Sequence, residues 1–173
     1  MTARLASYWE IGAPLQQPAR DLPRQTDLLI VGAGFLGCWL AYWISRLKPA
    51  WAQRTLVIER DLIGYGASTR NAGFLTGGHV SEMLADVAEC GFDALFAQFL
   101  RRRAGLALVL AEFPDLPTDP CGSADYDEVT EAKRTLARRV NAALAARGEA
   151  PAFETKRARF GGTEREVFFS ASD

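Results

Sequence analysis

The chain has 173 residues, 49% of them hydrophobic and 24% charged, a composition that excludes a wholly disordered polymer. Its 20 basic and 21 acidic residues give a formal net charge of -1, and residues 1–90 carry 8 of each, so neither half is a basic nucleic-acid-binding module. The length suits one sizeable core with the start of a second domain.

Residues 1–25 form a leader with prolines at Pro14, Pro18 and Pro23, expected to be extended and to pack Tyr8 and Trp9 on the domain. Its opening, MTARLASYWEIGAP, has no continuous apolar stretch and does not read as a secretory signal. Thr26 to Val31 reads as a buried strand, and a helix is predicted from Phe35 to Leu47, ended before Pro49. The uncharged run of 17 residues from Leu28 to Ile44 is near the lower limit for a membrane span. Gly32, Gly34 and Gly37 interrupt it, so strand, turn and buried helix explain it better, and no membrane span is predicted. Thr55 to Glu59 is a second apolar strand, completing a β-α-β unit with parallel strands.

Residues 64–78 carry five glycines and form a loop. Helical spacing resumes at Ser81, with Gly91 as a break before Phe92, Leu95, Phe96, Phe99 and Leu100. Leu106 to Phe113 is more uniformly apolar than the segment before it and is expected to be buried. Arg101, Arg102 and Arg103 form the basic run of the chain, read as a solvated helix face. A further amphipathic helix follows on Val129, Leu136, Val140 and Leu144, closing near Gly148, with Glu131, Lys133, Arg134, Arg138 and Arg139 on its solvated face. Phe153 to Phe160 and Glu166 to Ser170 are strands about Gly161-Gly162, a predicted hairpin.

Cys38, Cys90 and Cys121 are widely separated and His79 is the one histidine, which supplies neither a disulfide framework nor a closed zinc site. A cytoplasmic location is the default expectation. Cys38 is expected to pack in the core, Cys121 lies in a Pro-Cys-Gly turn, and His79 is read as a helix-start or surface residue.

Gly32-Ala33-Gly34-Phe35-Leu36-Gly37 follows a strand and opens a helix, the context in which a GxGxxG carries meaning. Gly32 permits the sharp turn, Gly34 lets a pyrophosphate approach the backbone, and Gly37 lets the helix pack close to the sheet. Free amides and the positive helix end then attract phosphate. Glu59, 27 residues after Gly32, ends the second strand, where a carboxylate accepts hydrogen bonds from a ribose diol and disfavours a 2′-phosphate. In the loop that follows, Gly64 to Gly73, small residues such as Gly66 and Ala67 expose backbone amides. Ser68, Thr69, Arg70 and Asn71 add donors beside a pyrophosphate or a flavin edge.

The segments SYW, DLLIVGAGFLG and VIERDLIGYGASTRNAGF together resemble the FAD-dependent oxidoreductases of the D-amino-acid-oxidase-like superfamily, near the glycine oxidase, sarcosine oxidase and γ-glutamylputrescine oxidoreductase group. The likeness is sharp over residues 7–78 and weaker afterwards. It implies an α/β fold: a Rossmann-type FAD-binding β-α-β unit, a helical segment, and the start of an α+β substrate domain left incomplete at Asp173. The corresponding division is a leader over 1–25, half of an FAD domain over 26–80, a helical segment over 81–148 and substrate-domain strands over 149–173.

The resemblance implies that Gly32, Gly34, Phe35, Leu36 and Gly37 approach the FAD pyrophosphate, Glu59 holds the ribose and Arg60 lies near the adenine. Gly66, Ala67, Ser68, Arg70 and Asn71 would run along the pyrophosphate towards the isoalloxazine. It further implies oxidation of a small-molecule amine or amino acid by hydride transfer to flavin, with the chain inactive alone and no catalytic base assignable. Two other readings stay open: the Rossmann domain of an NAD-dependent dehydrogenase, and a non-catalytic fragment that self-associates through an open sheet edge.

Overall fold

The computed structural model describes residues 21–170, so the expected packing of Tyr8 and Trp9 lies outside the described residues. The chain divides into two compact units, Met1–Phe74 and Leu75–Asp173.

The first unit carries β1 (Leu28–Val31), α1 (Phe35–Leu47), α2 (Pro49–Ala52) and β2 (Thr55–Ile58). The strands pair in parallel, from Leu28 opposite Thr55 to Val31 opposite Ile58, with α1 in the connection, as the apolar runs predicted. Thr26 and Asp27 precede the strand instead of opening it. The Asp27 and Leu28 amides both donate to the Arg54 carbonyl, at 3.1 and 3.2 Å, and the Thr26 hydroxyl donates to it at 2.7 Å. An Asp27–Arg54 ion pair flanks this junction. Pro49 ends α1 and opens α2 as its first residue, where the missing N–H costs nothing.

α1 turns Gly37, its one buried residue, inward. Cys38 is the next residue, about 100° around the helix. It is exposed, not packed in the core as predicted, with Sγ 3.4 Å from the Ala33 carbonyl oxygen.

The second unit holds α3 (Val80–Cys90), α4 (Phe92–Glu112), β3 (Ser123–Asp125), α5 (Glu131–Ala145), β4 (Phe153–Phe160) and β5 (Thr163–Ser170). Gly91, at φ +79°, lets the chain turn between α3 and α4. The hairpin forms about Gly161-Gly162 as predicted, but its second strand begins at Thr163, three residues before the predicted Glu166, with Phe160 opposite Thr163 and both intervening glycines at positive φ, the geometry of a tight two-residue hairpin turn. β5 also pairs antiparallel with β3, giving the order β3-β5-β4. The core gathers Val80 and Met83 of α3, Leu95 and Phe99 of α4, Val140 and Leu144 of α5, and Phe153 and Phe168 of the hairpin.

Three expectations fail in this unit. Leu106 to Phe113 is not buried: Leu108 is 47% and Phe113 41% exposed. α4 is one helix of 21 residues and outruns the 11 of α3, so its last turns extend past the core. Lys133, assigned to the solvated face, is only 8% exposed, because its helix turns it inward and Asp127 pairs with its ammonium at 3.3 Å. Arg103 is no freely solvated charge either. Its guanidinium pairs with Glu149 at 3.1 Å and lies 5.8 Å from the Phe99 ring centre, while Arg102 pairs with Glu82 at 3.3 Å.

Asn141 ties α5 to the start of β4. Its Nδ2 donates to the Phe153 carbonyl at 2.7 Å, and its Oδ1 accepts from the Ala152 and Phe153 amides at 3.0 and 3.1 Å. Asn141→Ala leaves these half-buried groups without their partner, an expected loss of about 1–3 kcal/mol. Urea unfolding followed by circular dichroism checks it, and a variant as stable as the parent would show that water replaces the amide at no cost.

Candidate functional site

The site is built where β1 and β2 end side by side. The ladder continues one step beyond the strands, the Gly32 amide donating to the Ile58 carbonyl at 2.7 Å. Gly32 then turns at φ +99°, which glycine adopts without a steric penalty. α1 starts three residues later and passes very close to the turn: a Cβ on Gly37 would sit 1.9 Å from the Gly32 carbonyl oxygen. Gly37 therefore sets how near the helix end lies to the strand.

Glu59 closes the turn from the second strand. Its Oε2 accepts from the Ala33 amide at 2.8 Å, and its Oε1 accepts from the amides of Arg60 at 2.7 Å and Asp61 at 3.4 Å. The Ala33 bond, aided by those of Arg60 and Asp61, holds the Glu59 carboxyl below the usual carboxylate range. The group stays ionised and fixed in direction, ready to accept hydroxyl hydrogens. The Arg60 side chain is exposed.

The glycine-rich loop closes the other side. Ala67–Thr69 forms one 3-10 turn, with Gly66 at its start. It directs the Ser68 Oγ to accept from the Phe35 amide, the first of α1, at 2.8 Å. A Cβ on Gly34 would come within 3.0 Å of the same oxygen. The Leu36 and Gly37 amides, next along the helix end, have no acceptor among the described residues. Phe35, Ala67, Ser68, Asn71 and Gly73 line one shallow depression together with Phe74.

The structure thus joins Gly32, Gly34, Phe35, Gly37, Glu59 and Ser68 in one hydrogen-bonded and close-packed group. It holds Arg70 and Asn71 within their own loop. The Arg70 guanidinium lies 4.0 Å from the Tyr65 ring centre and donates to the Tyr65 carbonyl. The Asn71 Nδ2 donates to the Ser68 carbonyl at 2.6 Å, and its Oδ1 accepts from the Gly73 amide at 2.7 Å. Thr69 closes the turn through its hydroxyl on the Gly64 carbonyl. Tyr65 escaped the sequence reading, although its spacing from Arg70 placed an aromatic beside a cation within one tight loop. His79 lies at the start of α3, as a helix-start residue.

Because the folded state depresses the Glu59 carboxyl, its stabilising contribution is complete above the unfolded carboxylate value, about 4.3, and is lost as pH falls through the depressed folded value. Wild type is expected to resist urea better than Glu59→Gln at pH 7, with the gap closing only below that carboxylate range. Urea midpoints between pH 7 and pH 3 check this, and a gap independent of pH removes the charge from the account.

Comparison with known proteins fits this geometry. The family described as FAD dependent oxidoreductase matches residues 27–170. An FAD-dependent oxidoreductase domain-containing protein 1 of Bos taurus is 34% identical over 111 residues, 63% of this chain and 22% of the relative. The 4-methylaminobutanoate oxidase (formaldehyde-forming) of Paenarthrobacter nicotinovorans is 30% identical over 102 residues, 59% of this chain and 11% of the relative. This chain therefore spans less than a quarter of the length of these relatives. No solved structure matches it. With the family matched from β1 to β5, the chain belongs to the FAD dependent oxidoreductase family, whose cofactor is FAD.

Proposed function

We propose that the turn of β1 and the loop after β2 hold FAD, and that the chain serves oxidation of an amine or amino acid. The observation that carries this is the pairing of Glu59 with the Ala33 amide and of Ser68 with the Phe35 amide. Two loops far apart in sequence thereby meet at one helix end.

The residues fit the cofactor. Gly34 leaves the approach to the backbone clear, with Ser68 Oγ at its margin. The Leu36 and Gly37 amides face the end of a helix whose dipole favours a pyrophosphate. The ionised Glu59 accepts the ribose hydroxyls and repels a 2′-phosphate. Arg60 lies towards the adenine, and Gly66, Ala67, Ser68, Arg70 and Asn71 extend from the pyrophosphate towards the ring. The bound flavin supplies the hydride acceptor, and the protein contributes binding and orientation.

The amine reading is supported by a relative named for oxidising 4-methylaminobutanoate. The candidate residues all serve cofactor binding, so these 173 residues alone are proposed not to turn over substrate. Among the described residues no helix is long and apolar enough to cross a membrane. The β1 flank supports self-association: Leu29 is 49% and Val31 76% exposed, and β1 has no second partner strand among the described residues.

The test is to mix the purified chain with FAD or NADH, remove free ligand and record the absorption spectrum. Retained flavin, no retained NADH and no bleaching by added amines without oxygen is the expected result. Gly34→Val, whose side chain enters the approach to the backbone, is expected to weaken FAD binding at least about tenfold, a loss of about 1.4 kcal/mol. Retention of NADH in place of FAD would make the chain a nicotinamide-binding domain, and retention of neither would overturn the cofactor-holding role.

A further inference from the structure

The second unit carries a shallow groove between α3 and α5 that the cofactor argument does not use. Its apolar lining is Leu84 and Val87 of α3, both packed on the core, and Leu136 of α5, which belongs to the core. The rest of the lining comes from α5: Glu131, Ala132, Thr135 and Arg139. Steps of one, four and eight residues from Glu131 keep these four on one side of the helix.

The charges of α5 are paired with one exception. Lys133 pairs with Asp127 at 3.3 Å, Arg134 with Glu166, and Arg138 with Glu131 at 2.5 Å. Arg139 is exposed and has no carboxylate partner among the described residues. Its guanidinium lies 3.8 Å from the Phe92 ring centre, so an aromatic face holds the cation while its N–H groups stay available to an acceptor. The hydrogen bond from Arg138 keeps the Glu131 carboxyl below the usual carboxylate range, and it is ionised at neutral pH. A carboxylate accepts more than the one hydrogen bond that Arg138 gives to Oε1, so Glu131 has room for a second cation.

These groove charges complement themselves. Glu131 lies four residues before Thr135 and Arg139 four residues after it, each about 6 Å along the helix axis. A two-fold axis at Thr135 that lays a second α5 antiparallel on the first sets Glu131 of each copy against Arg139 of the other. A parallel arrangement, or a wholly apolar occupant, leaves both charges without a mate. Ala132 and Thr135, between the charges, have short side chains that let two helices approach closely. Such matching of a surface with its own copy is what a two-fold contact requires.

We propose that this groove is the contact surface of a symmetric dimer, with a second copy of this chain as its occupant and α5 antiparallel on α5. The apolar lining supplies the affinity, and the two Glu131–Arg139 pairs set the register, since solvated ion pairs add little strength. The contact uses no residue of the cofactor turn or of the β1 flank, so it stands apart from the FAD reading.

The test is sedimentation equilibrium on the full chain and on two charge reversals. Wild type is expected to form a reversible dimer. Glu131→Arg and Arg139→Glu are each expected to dimerise at least about tenfold more weakly, because like charges then meet twice across the axis. Mixed in equal amounts, the two variants are expected to regain wild-type association, one presenting two cations and the other two carboxylates. Mixing cannot repair a misfolded chain, so this rescue separates a lost contact from a lost fold. Val31→Lys, which charges the exposed β1 flank, is expected to leave the dimer unchanged. A monomeric wild type overturns the proposal, as does weakening by the reversals without rescue on mixing. Association that survives both reversals and is lost in Val31→Lys also overturns it, and assigns the contact to the β1 edge.

Discussion

The first unit depends on one close approach. α1 comes so near the turn that no side chain fits at Gly37, with the Gly32 carbonyl oxygen 1.9 Å from the place a Cβ would occupy. That approach fixes the helix end beside the strand ends. The Phe35 and Ala33 amides then lie within hydrogen-bond reach of the loop after β2, and Ser68 and Glu59 take them. An extra atom at Gly37 would shift the helix end, and both bonds would lengthen together. The candidate site is thus a consequence of backbone packing before it is a collection of side chains.

The second unit is held differently. Its core is apolar and shared among three helices and a hairpin, and its polar ties sit at the margins of that core. Asn141 fastens α5 to β4, and Asp125 on β3 accepts from the Ser81 amide at 3.0 Å, at the start of α3. Thr130 caps α5 by accepting from the Lys133 amide at 3.3 Å. Each of these polar groups fixes the end of an element, where backbone donors and acceptors lack helical or strand partners. Burial therefore decides that the elements associate, and the end contacts decide their register.

What the sequence revealed follows the same division. The parallel β-α-β unit, the limits of α1, the Gly91 break and the hairpin at Gly161-Gly162 were all legible, because each rests on a local constraint. β3 was not: Ser123–Asp125 has no strand-forming composition and is a strand only because Ala124 meets Phe169. Lys133 was misplaced by residue type. Its spacing from Leu136, Val140 and Leu144 already put it on the buried stripe of α5, and periodicity was the better guide. Leu106 to Phe113 failed in the opposite sense. Apolar composition signals a tendency to bury, whereas burial needs a neighbour, and α3 is too short to supply one there.

The candidate site was legible as a set of residue types and only partly as an arrangement. Glycines report the backbone shape they permit, so Gly32, Gly34 and Gly37 identified the turn directly. Side-chain donors report only a capacity, and the fold decides how each is used. Ser68 spends its oxygen on α1, which binds loop to helix and leaves its own hydrogen free to donate to an anion at that end. Arg70 faces the Tyr65 ring and carbonyl, holding its positive charge over the loop. The loop thus divides its contacts between itself, where Arg70 meets Tyr65, and α1, where Ser68 meets the Phe35 amide, and that division was not legible from residue types alone.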